Sequence, residues 1–376
     1  MGSPVEADMQ PSELARIPKL ETLHFSSTRS CNLGCVFCYA RATRGRTEQL
    51  PLDIVGTIAR EAAELGARRV ILSGGEPLMR ADWRDVASIF DACQMEVSLA
   101  TNGTLIDEEA AAFLQSLRKV TISISVDGDE AVHDRLRDEP GAHRRTMRAL
   151  EALTKVGIAF DVNTTIFREN LSQVSFLTKL SRDYHCNVRL TLLHPNGRGK
   201  SVADSALESE EILRLREYCH IIGQHGGRIF LNLPPLLQYV EDIIPSRGVA
   251  CGWAVNFCGV LPNGDVSICG VADGTPELVA GNVFQKSLME IWSSSPLFQK
   301  TRSFDVKDLR GVCGCCPFKG LCGGACRLSA FRTHNDLLAP YELCQRFYDL
   351  GYIPEEVLEV PNAPEYKATG KQLASD

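Results

Sequence analysis

The chain has 376 residues, 44% hydrophobic and 23% charged, enough for two globular domains or one barrel with an addition. Its net charge of -7 leaves no basic excess to neutralise phosphates, which argues against a nucleic-acid binder, and no apolar run approaches a transmembrane length. Fifteen cysteines with no export signal at Met1-Gly2-Ser3-Pro4 predict a cytoplasmic chain whose thiols ligate metal rather than form disulfides.

Residues 1–19 hold Pro4, Pro11 and Pro18 with little apolar periodicity, and read as a flexible arm. A strand is predicted at Leu23–Ser27, and others at 69–73, 96–100, 120–125, 159–165 and 188–193. Helical periodicity falls between them at 52–66, 82–93, 107–117, 144–157 and 172–184. Six strand–helix units predict an α/β chain with a parallel sheet and right-handed crossovers, too few for a closed eight-unit barrel. In such barrels chemistry collects at the C-terminal ends of the strands.

Just past the first strand lies Cys31-Asn32-Leu33-Gly34-Cys35-Val36-Phe37-Cys38. Thiolates select zinc, copper(I) or iron–sulfur centres. Structural zinc wants four ligands, and no fourth Cys or His follows locally, so one metal position stays open. After the second strand, Ser73-Gly74-Gly75-Glu76-Pro77 combines two glycines that admit close ligand approach with one charge; its alternative is a simple turn with Pro77 opening a helix. Thr101-Asn102-Gly103-Thr104 and Ser125-Val126-Asp127-Gly128 offer groups suited to a ribose, although Asp127 equally suits a cap or turn. Arg137 suits a carboxylate or open solvent, and His133 reads as a turn residue rather than a base. Cys93, Cys186 and Cys219 sit singly in apolar patterns and are assigned to the core.

The composition shifts after residues 228–235, and Leu236–Ile244 reads as a helix within a bridge over 216–250. Beyond it come Cys251, Cys258 and Cys269, with Asn263-Gly264 between two short strand patterns, a hairpin signal. Cys313, Cys315, Cys316, Cys322, Cys326 and Cys344 follow. The tail, 351–376, reads as polar and loosely placed. Two tetrathiolate zinc sites would satisfy eight of these thiols as well as iron would.

The Cys31-x3-Cys35-x2-Cys38 loop, with Phe37 before the last thiol, resembles the cluster loop of the radical S-adenosylmethionine (SAM) superfamily. That resemblance implies a partial (β/α)6 barrel over 20–215 and a SAM-chelating 4Fe-4S cluster on Cys31, Cys35 and Cys38. It also implies SAM contacts at Gly74, Gly75, Glu76, Pro77, Asn102, Ser125, Asp127 and Arg137, with adenine against Gly197 and Gly199. The cysteine spacing from Cys251 to Cys344 resembles the SPASM extension of that superfamily, a small iron–sulfur domain over 251–350. It implies two auxiliary 4Fe-4S clusters, the nearer on Cys251, Cys258, Cys269 and Cys326 and the farther on Cys313, Cys316, Cys322 and Cys344. Cys315 is left over, or replaces Cys316.

The resemblance further implies hydrogen-atom abstraction by a 5′-deoxyadenosyl radical and an electron donor such as flavodoxin or ferredoxin. A peptide substrate is expected first, with a separate leader-binding partner because only about twenty residues precede the first strand. Tetrapyrrole side-chain modification is the alternative, and a thiolate–metal protein without turnover a third reading. Formylglycine-forming members carry Asp after the Cys of the Gly-x4-Cys element, where this chain has Gly270, so that activity is not expected. Asp273, Tyr39 and His194 are candidate bases by position only.

Overall fold

The computed structural model describes residues 17–40, 42–243 and 251–359. Most of the expected arm, the end of the expected bridge and most of the tail lie outside the described residues.

Strands β1 (Thr22–Thr28), β2 (Arg69–Gly74), β3 (Glu96–Thr101), β4 (Val120–Ser125), β5 (Phe160–Ile166) and β6 (Asn187–Leu192) fall where the hydrophobic pattern puts them. Each pairs in parallel with the next. The helices are α1 (Leu52–Glu64), α2 (Trp83–Ala92), α3 (Glu108–Ser116), α4 (Glu130–Arg137), α5 (Ala142–Lys155), α6 (Val174–Asp183) and α7 (Ser209–Gln224). The sequence pattern did not single out α4, whose start is marked by Asp129 accepting from the Val132 amide at 3.0 Å. On α1 the buried residues Val55, Ile58, Ala59 and Ala62 make one helical stripe. β1 is paired at both edges and buried on both faces, Leu23 and Phe25 on one and His24 and Ser26 on the other.

The sheet extends past the six expected strands in both directions. β7 (Ile229–Leu231) adds in parallel to β6, with Val188 opposite Ile229. Three apolar residues carry too little alternation to be read as a strand without the neighbour they pair with. The expected boundary at 215 therefore passes through α7, which packs on β7. The expected helix at Leu236–Ile244 is instead a 3₁₀ turn, Pro235–Leu237, an extended Gln238 and one short turn, α8 (Val240–Ile243). The Leu237 and Gln238 amides turn back to the carbonyls of Pro234 and Pro235 at 2.9 and 3.1 Å, closing a 3₁₀ turn, and the extended Gln238 then breaks the helical path.

At the other edge β8 (Phe257–Val260) pairs in parallel with β1. β8 and β9 (Asp265–Ser267) form the expected hairpin, with Gly264 at φ +87 in its turn. β10 (Val279–Asn282) closes that edge, giving the open order β10-β9-β8-β1-β2-β3-β4-β5-β6-β7. The C-terminal part continues through α9 (Leu288–Ser294), α10 (Pro296–Arg302), α11 (Gly311–Gly314), α12 (Lys319–Cys322), α13 (Arg327–His334) and α14 (Glu342–Asp349). One hydrophobic core runs through both parts, from Leu20 to Leu358. It includes Cys186 and Cys219 as expected, with Cys93 packed against it. The described start of the tail is not loose: Ile353 and Leu358 are buried and the Glu359 amide donates to the Cys315 carbonyl at 2.9 Å. Among the described residues no helix is long and apolar enough to cross a membrane.

Candidate functional site

The C-terminal ends of the strands surround a cavity of about 350 Å³. Cys31, Cys35 and Cys38 line it together with Gly74, Gly75, Asn102, Ser125 and Arg137. Eight residues separated by up to 106 positions in the chain thus meet at one opening, as strand-end chemistry predicts.

The cysteine loop is held mainly by its own backbone. Gly34 and Val36 donate to the carbonyls of Arg137 and Leu136, each at 3.0 Å, docking the loop on the end of α4. A Cβ on Gly34 would lie 2.6 Å from Asp138 Oδ2, so a side chain here would have to displace the Asp138 carboxylate. From the far side Arg198 donates through Nε to the Cys35 carbonyl at 2.8 Å and through Nη1 to the Ala42 carbonyl at 2.9 Å. The adjoining Gly197 has φ +59, and a Cβ there would meet the carbonyls of Cys38 and Tyr39 at 2.4 Å. The expectation of adenine on these glycines is thus joined by another demand: loop-on-loop packing already needs Gly197.

The Gly74-Gly75 pair has a similar second role. A Cβ on Gly74 would sit 2.5 Å from the Thr28 carbonyl, and one on Gly75 2.0 Å from the Ser30 carbonyl. Both glycines line the cavity, yet their lack of a side chain also seats the β2 loop on the backbone leading into Cys31. Glu76 and Pro77 lie behind the wall. The Glu76 side chain is fully buried and accepts from Leu78 N at 3.2 Å, Thr101 Oγ1 at 2.7 Å and Asn102 N at 2.8 Å. Burial raises its pKa, opposed by these hydrogen bonds. The Glu76 side chain thus braces the end of β3, within the stretch expected to contact SAM. Pro77 opens a 3₁₀ turn.

Asn102 remains at the cavity, locked by Asn32 Oδ1 at 2.9 Å and by Thr104, whose hydroxyl donates to its Oδ1 at 2.6 Å. Asp127 is fully buried and faces Arg137, which donates through Nε at 2.6 Å. The buried Asp127 carboxylate is thereby engaged by Arg137. Arg137 in turn lies over the Phe37 ring at 5.1 Å and places Nη1 3.6 Å from Cys35 Sγ. It is buried rather than solvated, and part of its fork is already used. His133 lies within α4 rather than in a turn; it is buried, and its Nδ1 accepts from the Asp127 amide at 3.2 Å.

Burial pushes the Cys31 thiol up to about 12 and raises Cys35, against the opposing pull of Arg137. Metal ligation requires thiolates. A donor set of three such thiols, with one cationic neighbour at Cys35, fits a centre that brings its own positive charge.

In the C-terminal part, Cys313, Cys316, Cys322 and Cys344 line one small hollow with Tyr341 and Gly324. The Tyr341 amide donates to Cys313 Sγ at 3.3 Å, the second-sphere bonding that tunes thiolate ligands. Cys316, not Cys315, faces this hollow. Cys269 lies within electrostatic reach of Cys251 and Cys326, and the Ser329 amide donates to Cys326 Sγ at 3.4 Å. Cys258 stands apart: it is fully buried in the core, and Arg302 is the charged group acting on its thiol. Among the described residues no three His, Cys, Asp or Glu side chains are grouped to hold a single metal ion.

Residues 25–180 match the Radical SAM superfamily, and residues 251–317 match the SPASM iron–sulfur cluster-binding domain. An AdoMet-dependent heme synthase of Methanosarcina barkeri is 31% identical over 84% of this chain and 94% of its own length. The chain belongs to the radical SAM superfamily. It carries a SPASM domain, binds SAM and iron–sulfur centres, and is an enzyme of that superfamily. Mycofactocin maturase MftC of Mycobacterium tuberculosis is 30% identical over 86% of this chain and 82% of its own. In fold, the chain resembles Streptococcus suis SuiB bound to S-adenosylmethionine, with TM-score 0.70 and 19% identity over 87% of this chain and 78% of that one.

For this radical SAM enzyme the candidate bases divide. Tyr39 and His194 line the cavity, whereas Asp273 is held by Arg29 at 2.7 and 3.1 Å. Burial raises the Tyr39 phenol and lowers His194. The structure also explains Gly270. A Cβ there would lie 2.5 Å from His24 Cγ, and His24 Nε2 is hydrogen-bonded to Ser73, which lines the cavity. His24 occupies the space that a side chain after Cys269 would need. Sequence reasoning missed His24, Arg198 and Arg29. The first was hidden inside a strand pattern and the other two look like ordinary surface arginines; only their partners, up to 244 residues away, reveal them.

Proposed function

We propose that the enzyme binds SAM at the Cys31, Cys35 and Cys38 site and abstracts a hydrogen atom from a peptide. When bound, a 4Fe-4S cluster with one thiolate-free iron chelates SAM and supplies the electron that cleaves its sulfonium bond to a 5′-deoxyadenosyl radical. Cys31, Cys35 and Cys38 would hold that cluster, with Arg137 beside the Cys35 sulfur. Gly74, Gly75, Asn102 and Ser125 offer backbone and polar groups to SAM. Two further clusters would be held by the C-terminal thiols. A reduced flavodoxin or ferredoxin would deliver the electron, and a separate leader-binding protein would present the peptide.

One observation carries the peptide reading. The cavity is lined by neutral hydroxyl and amide groups, Ser123, Ser125, Asn163, Thr165 and Thr191, and the one arginine among the described residues that line it, Arg137, is already paired with Asp127. A polycarboxylate tetrapyrrole would call for several free cations, whereas amides and hydroxyls suit a peptide. Tetrapyrrole side-chain modification is kept as a second reading because the 31% identical relative is named a heme synthase.

The test is anaerobic turnover of iron- and sulfide-reconstituted protein with SAM and reductant. Release of 5′-deoxyadenosine that disappears in Cys35→Ala supports the radical reading. Deuterium passing into 5′-deoxyadenosine from a labelled peptide encoded beside this chain supports the first substrate; transfer from a propionate-labelled tetrapyrrole instead supports the second. Intact SAM under strong reduction refutes both.

A further inference from the structure

The nearer auxiliary site does not fit four protein thiolates. β8 lies beside β1 with Cys258 opposite Leu23 and Gly259 opposite His24. Gly259 faces the Cys269-Gly270 peptide: a Cβ there would lie 2.3 Å from the Cys269 carbonyl carbon and 2.1 Å from the Gly270 amide. His24 faces the same peptide. Successive strand residues point to opposite faces. Cys258, with Leu23, is therefore on the far face, under α9 and α10. The Arg302 guanidinium acts on its thiol there and stacks 4.1 Å from the Trp292 ring. Rotating Cys258 toward Cys269 would require β8 to slip by one residue against β1, which would also turn Val260 and Phe257 over.

We infer that Cys258 is a core residue and that Cys251, Cys269 and Cys326 alone hold the nearer auxiliary cluster, leaving one of its irons open to an exogenous thiol or anionic donor. This rests on the iron–sulfur reading of the preceding subsection. Two features suit such a position. Cys251 is exposed, so the site reaches solvent, and Cys269 lies within electrostatic reach of Tyr39, a cavity residue. An exogenous donor reaching that iron would bind the cluster directly, rather than exchange an electron with it at a distance.

Iron and sulfide per chain, measured on the full reconstituted protein, test the assignment. Cys258→Ala and the bulkier Cys258→Val should keep the wild-type iron content, while Cys269→Ala should lose about four irons. A Cys258 variant that melts like wild type yet loses about four irons overturns the inference. A second measurement is independent of whether those variants fold. In the full chain carrying Cys31→Ala, Cys35→Ala and Cys38→Ala, which removes the SAM-binding centre, 2-mercaptoethanol should shift the paramagnetic resonance of one of the two remaining reduced clusters. Unchanged spectra at saturating thiol overturn the open position. If no variant or wild type takes up iron, the iron–sulfur reading itself falls, an outcome distinct from either of these.

Discussion

Replacing Arg198 with alanine tests how the cysteine loop is held. The substitution removes two charge-assisted hydrogen bonds, to the Cys35 carbonyl at 2.8 Å and the Ala42 carbonyl at 2.9 Å. Bonds to a charged group contribute about 1.5–3 kcal/mol each. The site is only half-buried, so the lower end applies, about 3 kcal/mol for the pair. The Arg198 amide still donates to the Cys38 carbonyl at 2.9 Å, so the β6 loop stays in place and the loss falls on the cysteine loop itself. A cost of that size corresponds to roughly a hundredfold lower population of the ordered loop. The expected result is an Arg198→Ala protein whose C-terminal iron is retained while iron at Cys31, Cys35 and Cys38, and SAM affinity with it, falls. Iron analysis and a SAM titration followed by paramagnetic resonance read both quantities. Arg198→Lys should fall between, since a single ammonium reaches one carbonyl and lacks the planar fork. Wild-type iron content and SAM affinity in Arg198→Ala would refute the reasoning.

Glu76→Gln should lower stability by about 1–3 kcal/mol, because the amide's NH₂ must face at least one of the donors Glu76 now accepts from; an unchanged urea midpoint would contradict the bracing role. Gly270→Asp should disrupt the site by collision with His24, and adding His24→Ala should restore thermal stability and iron content; a tolerated single substitution would remove the steric account. Cys315→Ala should retain all iron and Cys316→Ala should lose the farther centre, as iron analysis would show, because only Cys316 faces the hollow with Cys313, Cys322 and Cys344. Burial lowers the His24 pKa from its ordinary 6.5 to about 4. Between those values the unfolded chain takes a proton that the folded chain refuses, so stability falls as pH drops from 6.5 to 4, by up to about 3 kcal/mol. His24→Gln should lose that part of the slope in urea melts; equal slopes would place His24 outside the titration.

The sequence alone determined which residues bring chemistry and roughly where along the fold they stand. Strand and helix periodicities are local, so β1 to β6 could be read from spacing alone, and the strand ends could be found by counting from them. The three-thiol loop is likewise local, as are the hairpin at Asn263-Gly264 and the later cysteine spacings. What the tertiary structure decided depends on partners far away in the chain. Glu76 reads from its motif as a charge at the site, whereas the fold brings three donors to it, Leu78 from the turn after β2, Thr101 at the end of β3 and Asn102 just past it. Gly75 and Gly197 read as ligand-facing glycines, and only the fold shows that other loops also occupy the space a Cβ would take. β7 is a strand only because β6 is beside it. Cys258 has the spacing of a ligand, but the register of β8 on β1 puts it on the face opposite the one Gly259 turns to the Cys269-Gly270 peptide. Spacing along the chain counts residues, whereas ligation depends on the direction in which each side chain points, and that direction is fixed by long-range pairing.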